Sequence, residues 1–142
     1  MAAEDNNKAL IRRWVDGVSQ GDATVSAEVV GPDYRMNGQA LGPQGAQQVS
    51  TLLLSAFPDW HGTLDDLIGE GDQVAARITY RGTHQGVWHG RGPLQGIPPT
   101  GRQFAITSLE WYRIADGKVA EAWVQVDFPA WAQQLGVSTG PT

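Results

Sequence analysis

The stretch that decides the fold is RQFAITSLEWYRIADGKVAEAWVQVDF, residues 102–128. It holds two runs rich in β-branched and aromatic residues, one on each side of Asp116 and Gly117. An Asp-Gly pair readily adopts the positive φ angles of a two-residue hairpin turn. The stretch therefore predicts two long antiparallel strands joined by a tight turn.

A second stretch of the same kind lies upstream, in HGTLDDLIGEGDQVAARITYRGTH, residues 61–84. Its β-branched residues flank the glycine-rich turn GEGD. This pattern also indicates a hairpin, so the second half of the chain is expected to contain about four long strands.

The first part of the chain shows helical periodicity instead, and its apolar residues between 6 and 18 recur on one helical face. Helices are predicted over residues 6–18, 23–30, 45–57 and, at the far end, 129–135. GPDY, residues 31–34, is predicted as a turn that leads into an extended segment. Helices followed by hairpins predict an α+β fold with helices on one face of a curved antiparallel sheet.

Composition narrows the class of partner. The chain has 142 residues, a net charge of −5, no cluster of Lys or Arg, and no cysteine. These features predict one domain that binds neither nucleic acid nor a membrane surface and has no thiolate chemistry. The acidic start MAAEDNNKAL lacks the features of a signal peptide, so a cytoplasmic location is expected.

Three ordered motifs carry a family resemblance: residues 57–86, the segment GIPPTGRQF at 96–104, and residues 109–136. Together they resemble the SnoaL-like polyketide cyclases, in the superfamily of nuclear transport factor two and ketosteroid isomerase. The resemblance spans about residues 5–136 and implies a cone-shaped α+β barrel, usually a homodimer, around one apolar pocket. It also implies catalysis without metal or organic cofactor. The terminal segment VSTGPT, residues 137–142, is expected to form a loosely held tail.

The chain departs from that family in two places. Between GTH and GIPPTG the family has about five residues, whereas QGVWHGRGPLQ, residues 85–95, is longer and is expected to form a lid or rim over the pocket. In the aromatic polyketide cyclases a catalytic Asp occupies the position of Val124, and its partner His matches Glu110. The resemblance thus implies that one acid/base group is lost while a carboxylate appears on the neighbouring strand.

The register of the last hairpin stays open from sequence alone. A regular two-residue turn places Glu110 opposite Trp123, and Val124 then lies on the other face. A longer loop or a bulge instead places Glu110 on the face of Val124. The family resemblance favours this second register, because it implies that both positions line one cavity.

Two carboxylates are the candidate catalytic residues. Glu110 lies in an otherwise apolar strand, where an enclosed carboxylate is suited to remove or deliver a proton. Asp127 lies where the last strand meets FPAW, and it either takes part in catalysis or caps the final helix.

Further residues are candidates for contacts with substrate because they are aromatic or polar and fall near the pocket in the resemblance. Each has a structural alternative: core packing for Trp14, Tyr112 and Trp123, and a backbone cap for Asn37. The predicted substrate-binding set is Trp14, Tyr34, Asn37, Trp88, His89, Tyr112, Trp123 and Val124.

No metal site is predicted, because His84 and His89 in a glycine-rich loop have no recognised ligand spacing. His84 is expected to make a structural hydrogen bond at a strand end. The preferred hypothesis is a cofactor-free cyclase or isomerase acting on a hydrophobic, oxygenated small molecule of polyketide type. Two alternatives remain: a non-catalytic binding protein for an apolar ligand, and a dimerisation scaffold with a collapsed interior.

Overall fold

The computed structural model describes residues 2–137. Helices and strands follow one another along the described chain in this order: α1 (Ala2–Ser19), α2 (Thr24–Val29), β1 (Val30–Met36), β2 (Gln39–Ala40), α3 (Gly42–Ala56), β3 (His61–Glu70), β4 (Gln73–Thr83), β5 (Gln103–Ala115), β6 (Lys118–Val126) and α4 (Phe128–Leu135). The predicted helices and long strands are therefore all present.

The strands form one curved sheet in the order β2-β1-β6-β5-β4-β3. Neighbouring strands are antiparallel, with the exception of β1 and β6, which run parallel. Helices α1 and α3 pack against this sheet, and α2 packs against both of these helices. The predicted α+β fold is confirmed.

The prediction of a turn at residues 31–34 is wrong, because these residues belong to strand β1. Proline lacks the N–H group that a strand donates to its neighbour, which normally argues against a strand. In this chain the β1–β6 register shifts between Val30 and Arg35, so Pro32 lies where the ladder is interrupted. The backbone stays extended because no ladder hydrogen bond requires an N–H group at Pro32.

Helix boundaries differ from the predictions by a few residues. Helix α3 begins at Gly42 rather than residue 45, with proline in its first turn, where the missing N–H group costs nothing. Helix α1 begins at Ala2 rather than residue 6. Local patterns define helix centres better than helix ends.

The predicted loose tail, residues 137–142, lies mostly outside the described residues. Its first residue, Val137, packs against the core and donates its backbone N–H to the carbonyl of Ala132 at 2.9 Å. Within residues 2–137, no helix is both long and apolar enough to cross a membrane. The cytoplasmic location stays a prediction.

A β-bulge sets the register of the last hairpin. The turn does consist of Asp116 and Gly117, both with positive φ, and Ala115 pairs with Lys118. One extra residue, Ala120, then enters β6, so that Glu110 pairs with Val124 and not with Trp123. The bulge produces the register that the family resemblance favours.

An aromatic cluster closes one end of the space between helices and sheet. The ring of Phe57 lies 5.2 Å from Phe104, 5.3 Å from Trp131 and 5.9 Å from Trp60, measured between centroids. Phe57 has no exposed surface. Because it contacts rings from α4 and the sheet, it ties the C-terminal helix to the rest of the fold.

We expect Phe57→Ala to lower the free energy of unfolding by about 3–5 kcal/mol, because it opens a cavity that the surrounding rings cannot fill. Urea unfolding followed by tryptophan fluorescence measures the change. The matched control, Arg12→Ala on the exposed side of α1, should stay within about 0.5 kcal/mol of the parent. A small loss in Phe57→Ala would contradict the proposed role of this ring.

Candidate active site

A large cavity of about 890 Å³ lies between the helices and the inner face of the sheet. Its size falls within the range of pockets that enclose drug-sized molecules. Its wall is mainly apolar and aromatic, with contributions from Trp14, Leu41, Leu53, Trp60, Trp88 and Phe128. The interior is open, unlike that of the collapsed scaffold considered above.

Glu110 is the one acidic residue among the cavity-lining residues of the described chain. Only 9% of its surface is exposed. Its side chain points inward because alternate residues of β5 share a face, and Ser108 and Tyr112 lie on the same face. The strand thus brings a carboxylate and two hydroxyl groups together.

Three hydroxyl groups donate hydrogen bonds to the Glu110 carboxylate. Oε2 accepts one from Tyr80 Oη at 2.9 Å and one from Ser108 Oγ at 2.8 Å. Oε1 accepts one from Tyr112 Oη. A buried carboxylate needs such partners, because an unpaired charge away from water is very costly.

The phenol groups around Glu110 are held in their protonated form. Burial raises the pKa of both Tyr80 and Tyr112 well above the usual phenol value, and the negative charge of Glu110 raises it further. Both groups therefore act as hydrogen-bond donors throughout the physiological pH range.

Tryptophan rings hold these phenols in place. Tyr80 stacks on Trp60 with ring centroids 4.6 Å apart, and Tyr112 lies 6.1 Å from Trp14. Trp14 itself is fixed by a hydrogen bond from its Nε1 to Ser26 Oγ at 2.7 Å. Trp14 thus both lines the cavity and packs in its wall.

Sequence reasoning missed Tyr80, which lines the cavity and binds Glu110 directly. The signal was present in the alternation of β4, where Val74, Ala76 and Ile78 are buried and Tyr80 continues the same face. What the sequence did not show is that a phenol on β4 reaches a carboxylate on the next strand.

The structure does not bring Tyr34 to the cavity surface. Tyr34 is 2% exposed, and its ring packs edge-on against Trp14 at 5.9 Å, outside the cavity-lining set. Burial raises its pKa above the usual phenol value, and the charge of Glu110 adds to this effect. Tyr34 is therefore positioned behind the wall, where direct contact with a ligand is blocked.

Asn37 lines the cavity mouth, but its amide is engaged with the backbone. Its Oδ1 accepts the N–H of Val124 at 2.8 Å, and its Nδ2 donates to the carbonyl of Val124 at 3.3 Å. With a φ of 50°, Asn37 leaves the strand while its side chain continues the pairing to β6. This is the structural alternative considered for it.

Trp123 faces away from the cavity. The bulge at Ala120 places Val124 inward, so its neighbour Trp123 points to the outer face and is 47% exposed. The prediction that Trp123 contacts substrate is corrected by this register. Val124 and Tyr112, in contrast, both line the cavity.

Asp127 occupies the N-cap of α4, where its Oδ1 accepts the N–H of Ala130 at 3.1 Å. It is exposed and is absent from the cavity lining, unlike its neighbours Val126 and Phe128. The structure places it in the capping role and does not bring it together with Glu110.

The loop between β4 and β5 lies over the cavity, as the lid or rim interpretation requires. Trp88 and His89 both line the cavity, and only 9% of Trp88 is exposed.

At the start of the loop, His84 Nδ1 accepts the backbone N–H of Thr100 at 3.2 Å, and burial lowers the pKa of His84. Within residues 2–137, no three His, Asp or Glu side chains are grouped as metal ligands would be.

We expect Asp127→Ala to lower the free energy of unfolding by about 1 kcal/mol, because the first turn of α4 loses its cap. Asp127→Asn is the matched control and should differ from the parent by only a few tenths of a kcal/mol, since Asn also caps helices. Chemical denaturation of both variants measures the difference. An equal loss in both would argue for a role that needs the charge.

Comparison with known proteins agrees with this architecture. The model of the family described as "SnoaL-like polyketide cyclase" matches residues 8–135. Aklanonic acid methyl ester cyclase DnrD of Streptomyces peucetius is 29% identical over 135 residues, covering 89% of this chain and 88% of that protein. Aklanonic acid methyl ester cyclase DauD of Streptomyces sp. strain C5 is also 29% identical, and the match covers 89% of this chain and 80% of the DauD chain.

Solved structures show the same fold. TsrD from Streptomyces laurentii superposes with a TM-score of 0.82 at 29% identity, covering 94% of this chain and 97% of its own. The resemblance inferred from the sequence motifs is thereby confirmed.

Proposed function

Because the chain belongs to the SnoaL-like polyketide cyclase family, we propose that it closes a ring in a hydrophobic, oxygenated, polyketide-type intermediate by proton transfer at Glu110. The observation that carries this proposal is the buried Glu110 carboxylate with its three hydroxyl donors inside a large apolar cavity. The reaction needs no cofactor, since one group accepts and returns a proton.

The position of Glu110 supports this role. In the family resemblance the catalytic Asp matches Val124, and Glu110 pairs directly opposite Val124 across the sheet. Side chains of directly paired residues start about 5 Å apart. A carboxylate on β5 therefore reaches the same part of the cavity as one at position 124 would.

The hydrogen-bond pattern favours one carboxylate oxygen, Oε1, as the proton-accepting atom. A carboxylate oxygen offers about two acceptor sites. Oε2 already accepts two hydrogen bonds, from Tyr80 and Ser108, whereas Oε1 accepts one, from Tyr112. Oε1 therefore keeps a free site and takes the proton.

In the proposed reaction, Oε1 removes a proton from a carbon beside a carbonyl group of the substrate, and the electron pair moves into an enolate. The phenol of Tyr112 then turns from Glu110 toward the developing oxyanion. The enolate carbon attacks a second carbonyl group of the same molecule, which forms the C–C bond and converts that carbonyl into an alkoxide. Glu110 returns its proton to the alkoxide, so the product is an isomer of the substrate.

The apolar wall contributes orientation. A flexible chain folded into the cavity presents its two reacting carbons to each other, and such positioning removes much of the entropic barrier to ring closure. The aromatic rings around the cavity are rigid, so they select a folded conformation without being reorganised themselves.

Glu110→Gln is expected to slow cyclisation by at least ~100-fold, because the amide keeps the shape of the side chain but accepts no proton. The test incubates the parent and the variant with a panel of polyketide β-dicarbonyl compounds that includes aklanonic acid methyl ester. Liquid chromatography with mass spectrometry detects a product of unchanged mass and new retention time.

Asp127→Asn is the control and should retain full turnover, with the fold of both variants checked by thermal unfolding. Full turnover in Glu110→Gln would overturn proton transfer at this residue.

Val124 favours a second candidate function, a non-catalytic binding protein, because an apolar residue stands where the family keeps its acid/base group. A ligand retained unchanged by the parent protein would then favour a binding protein.

We infer in addition that the chain forms a homodimer through the outer face of the sheet. Ile68, Ala75, Trp111 and Trp123 pair in one continuous row across four strands. Ile68 is 60% exposed, Trp111 49% and Trp123 47%. Exposed apolar residues in such a row typically mark an interface.

A second copy of this chain fits that face because the face carries both signs of charge. Asp66 and Arg77 line the shallow groove around Trp111. A two-fold axis through this face allows Asp66 of one copy to meet Arg77 of the other, as a self-complementary interface requires.

Trp111→Glu should convert the dimer to a monomer, because it buries a charge without a partner at the centre of the interface. Sedimentation velocity at micromolar concentration measures the mass in solution. Arg12→Glu, on exposed α1, is the control and should remain dimeric. A monomeric parent protein would overturn the inference.

A further inference from the structure

The glycine-rich loop over the cavity mouth is tightly organised around Trp88. The indole Nε1 donates to the carbonyl of Arg91 at 2.8 Å, and the N–H of Gly96 donates to the carbonyl of Trp88 at 2.9 Å. A Cβ atom at Gly90 would lie 1.8 Å from the Trp88 ring, so position 90 tolerates only glycine. The backbone therefore presents residue 91 in a defined place.

Arg91 is the only Lys or Arg among the cavity-lining residues that the structure describes. Its guanidinium donates from Nη1 to Gln39 Oε1 at 2.9 Å. Within residues 2–137 it contacts no carboxylate, whereas Arg13, Arg77 and Arg113 each do. A guanidinium has five N–H donors, and a single amide oxygen leaves most of them available.

We propose that Arg91, supported by Gln39, binds a carboxylate group of the ligand at the cavity mouth. This deepens the proposed function and rests on it, because it assigns the substrate a free acid group remote from the reacting carbons. The planar guanidinium matches a carboxylate in two-point contact. Gln39, on β2, lies directly beside the guanidinium and contributes the N–H groups of its amide.

The placement of the two charges fits such a substrate. Glu110 is buried among phenols, whereas Arg91 is exposed on the rim. A ligand carboxylate at the rim keeps part of its hydration, so its desolvation penalty is small. The apolar body of the same ligand enters the cavity, and the acid end fixes which way it enters.

Anthracene-9-carboxylate and its methyl ester make a probe pair with the same ring system and different charge. Quenching of tryptophan emission in the full chain at pH 7.5 measures the affinity for each. Arg91→Gln should weaken binding of the acid about fivefold, the effect of losing about 1 kcal/mol of ion pairing at an exposed site. It should leave binding of the ester unchanged.

Two control variants separate charge from loop structure. Arg91→Lys keeps the charge but loses the two-point contact, so its affinity for the acid should lie between those of the parent and of Arg91→Gln. Arg81→Gln, which removes an exposed charge outside the cavity, should change neither affinity. Equal weakening of acid and ester in Arg91→Gln would assign Arg91 to loop structure and overturn the proposal. An unchanged affinity for the acid, or no binding of the acid by the parent protein, would also overturn it.

These measurements are independent of turnover. Quenching reports binding in the absence of reaction, so loss of the anion preference in Arg91→Gln and loss of cyclisation in Glu110→Gln are separate results. A failed carboxylate subsite leaves the proton-transfer proposal standing, and full turnover in Glu110→Gln leaves the binding result interpretable.

Discussion

The structure depends on satisfying the hydrogen-bonding needs of one buried carboxylate inside an apolar cavity. Burying an ionised carboxylate without hydrogen-bond partners costs about several kcal/mol of folding free energy. The hydroxyls of Tyr80, Ser108 and Tyr112 offset that cost by donating three hydrogen bonds. Tyr80 on β4 reaches the carboxylate on β5 only if the two strands keep their register. The hydrogen bonds at the site therefore favour one pairing of the sheet.

The side chains packed around the site position the phenols that bind Glu110. Each phenol near Glu110 is braced by a tryptophan ring, and Trp14 is tied in turn through Ser26 to Ser50, whose Oγ atoms lie 2.6 Å apart. Helices α1, α2 and α3 are thus linked by a buried polar chain that ends at the cavity wall. The helical layer both encloses the substrate space and orients the groups that surround the carboxylate.

Much of the fold was predictable because its signals are local. Helical periodicity, the Asp116-Gly117 turn and the glycine-rich turn between β3 and β4 each act within a few residues. The errors arose where a distant partner decides the conformation. Residues 31–34 carry a turn-like sequence, yet pairing of β1 with β6 keeps them extended. Asn37 does lie in a turn, yet the backbone that its amide binds is that of Val124, far away in sequence.

By itself, the sequence determined the class of fold and the placing of Glu110 in an apolar strand, since these follow from residue type and short-range periodicity. The resemblance to the family was carried by its three ordered motifs. Only the tertiary structure decided which side chains meet at the site. The single extra residue at Ala120 turns Val124 inward and Trp123 outward, and Tyr80 reaches Glu110 from another strand. Side-chain alternation reverses with a shift of one residue, and one sequence does not show where a strand bulges.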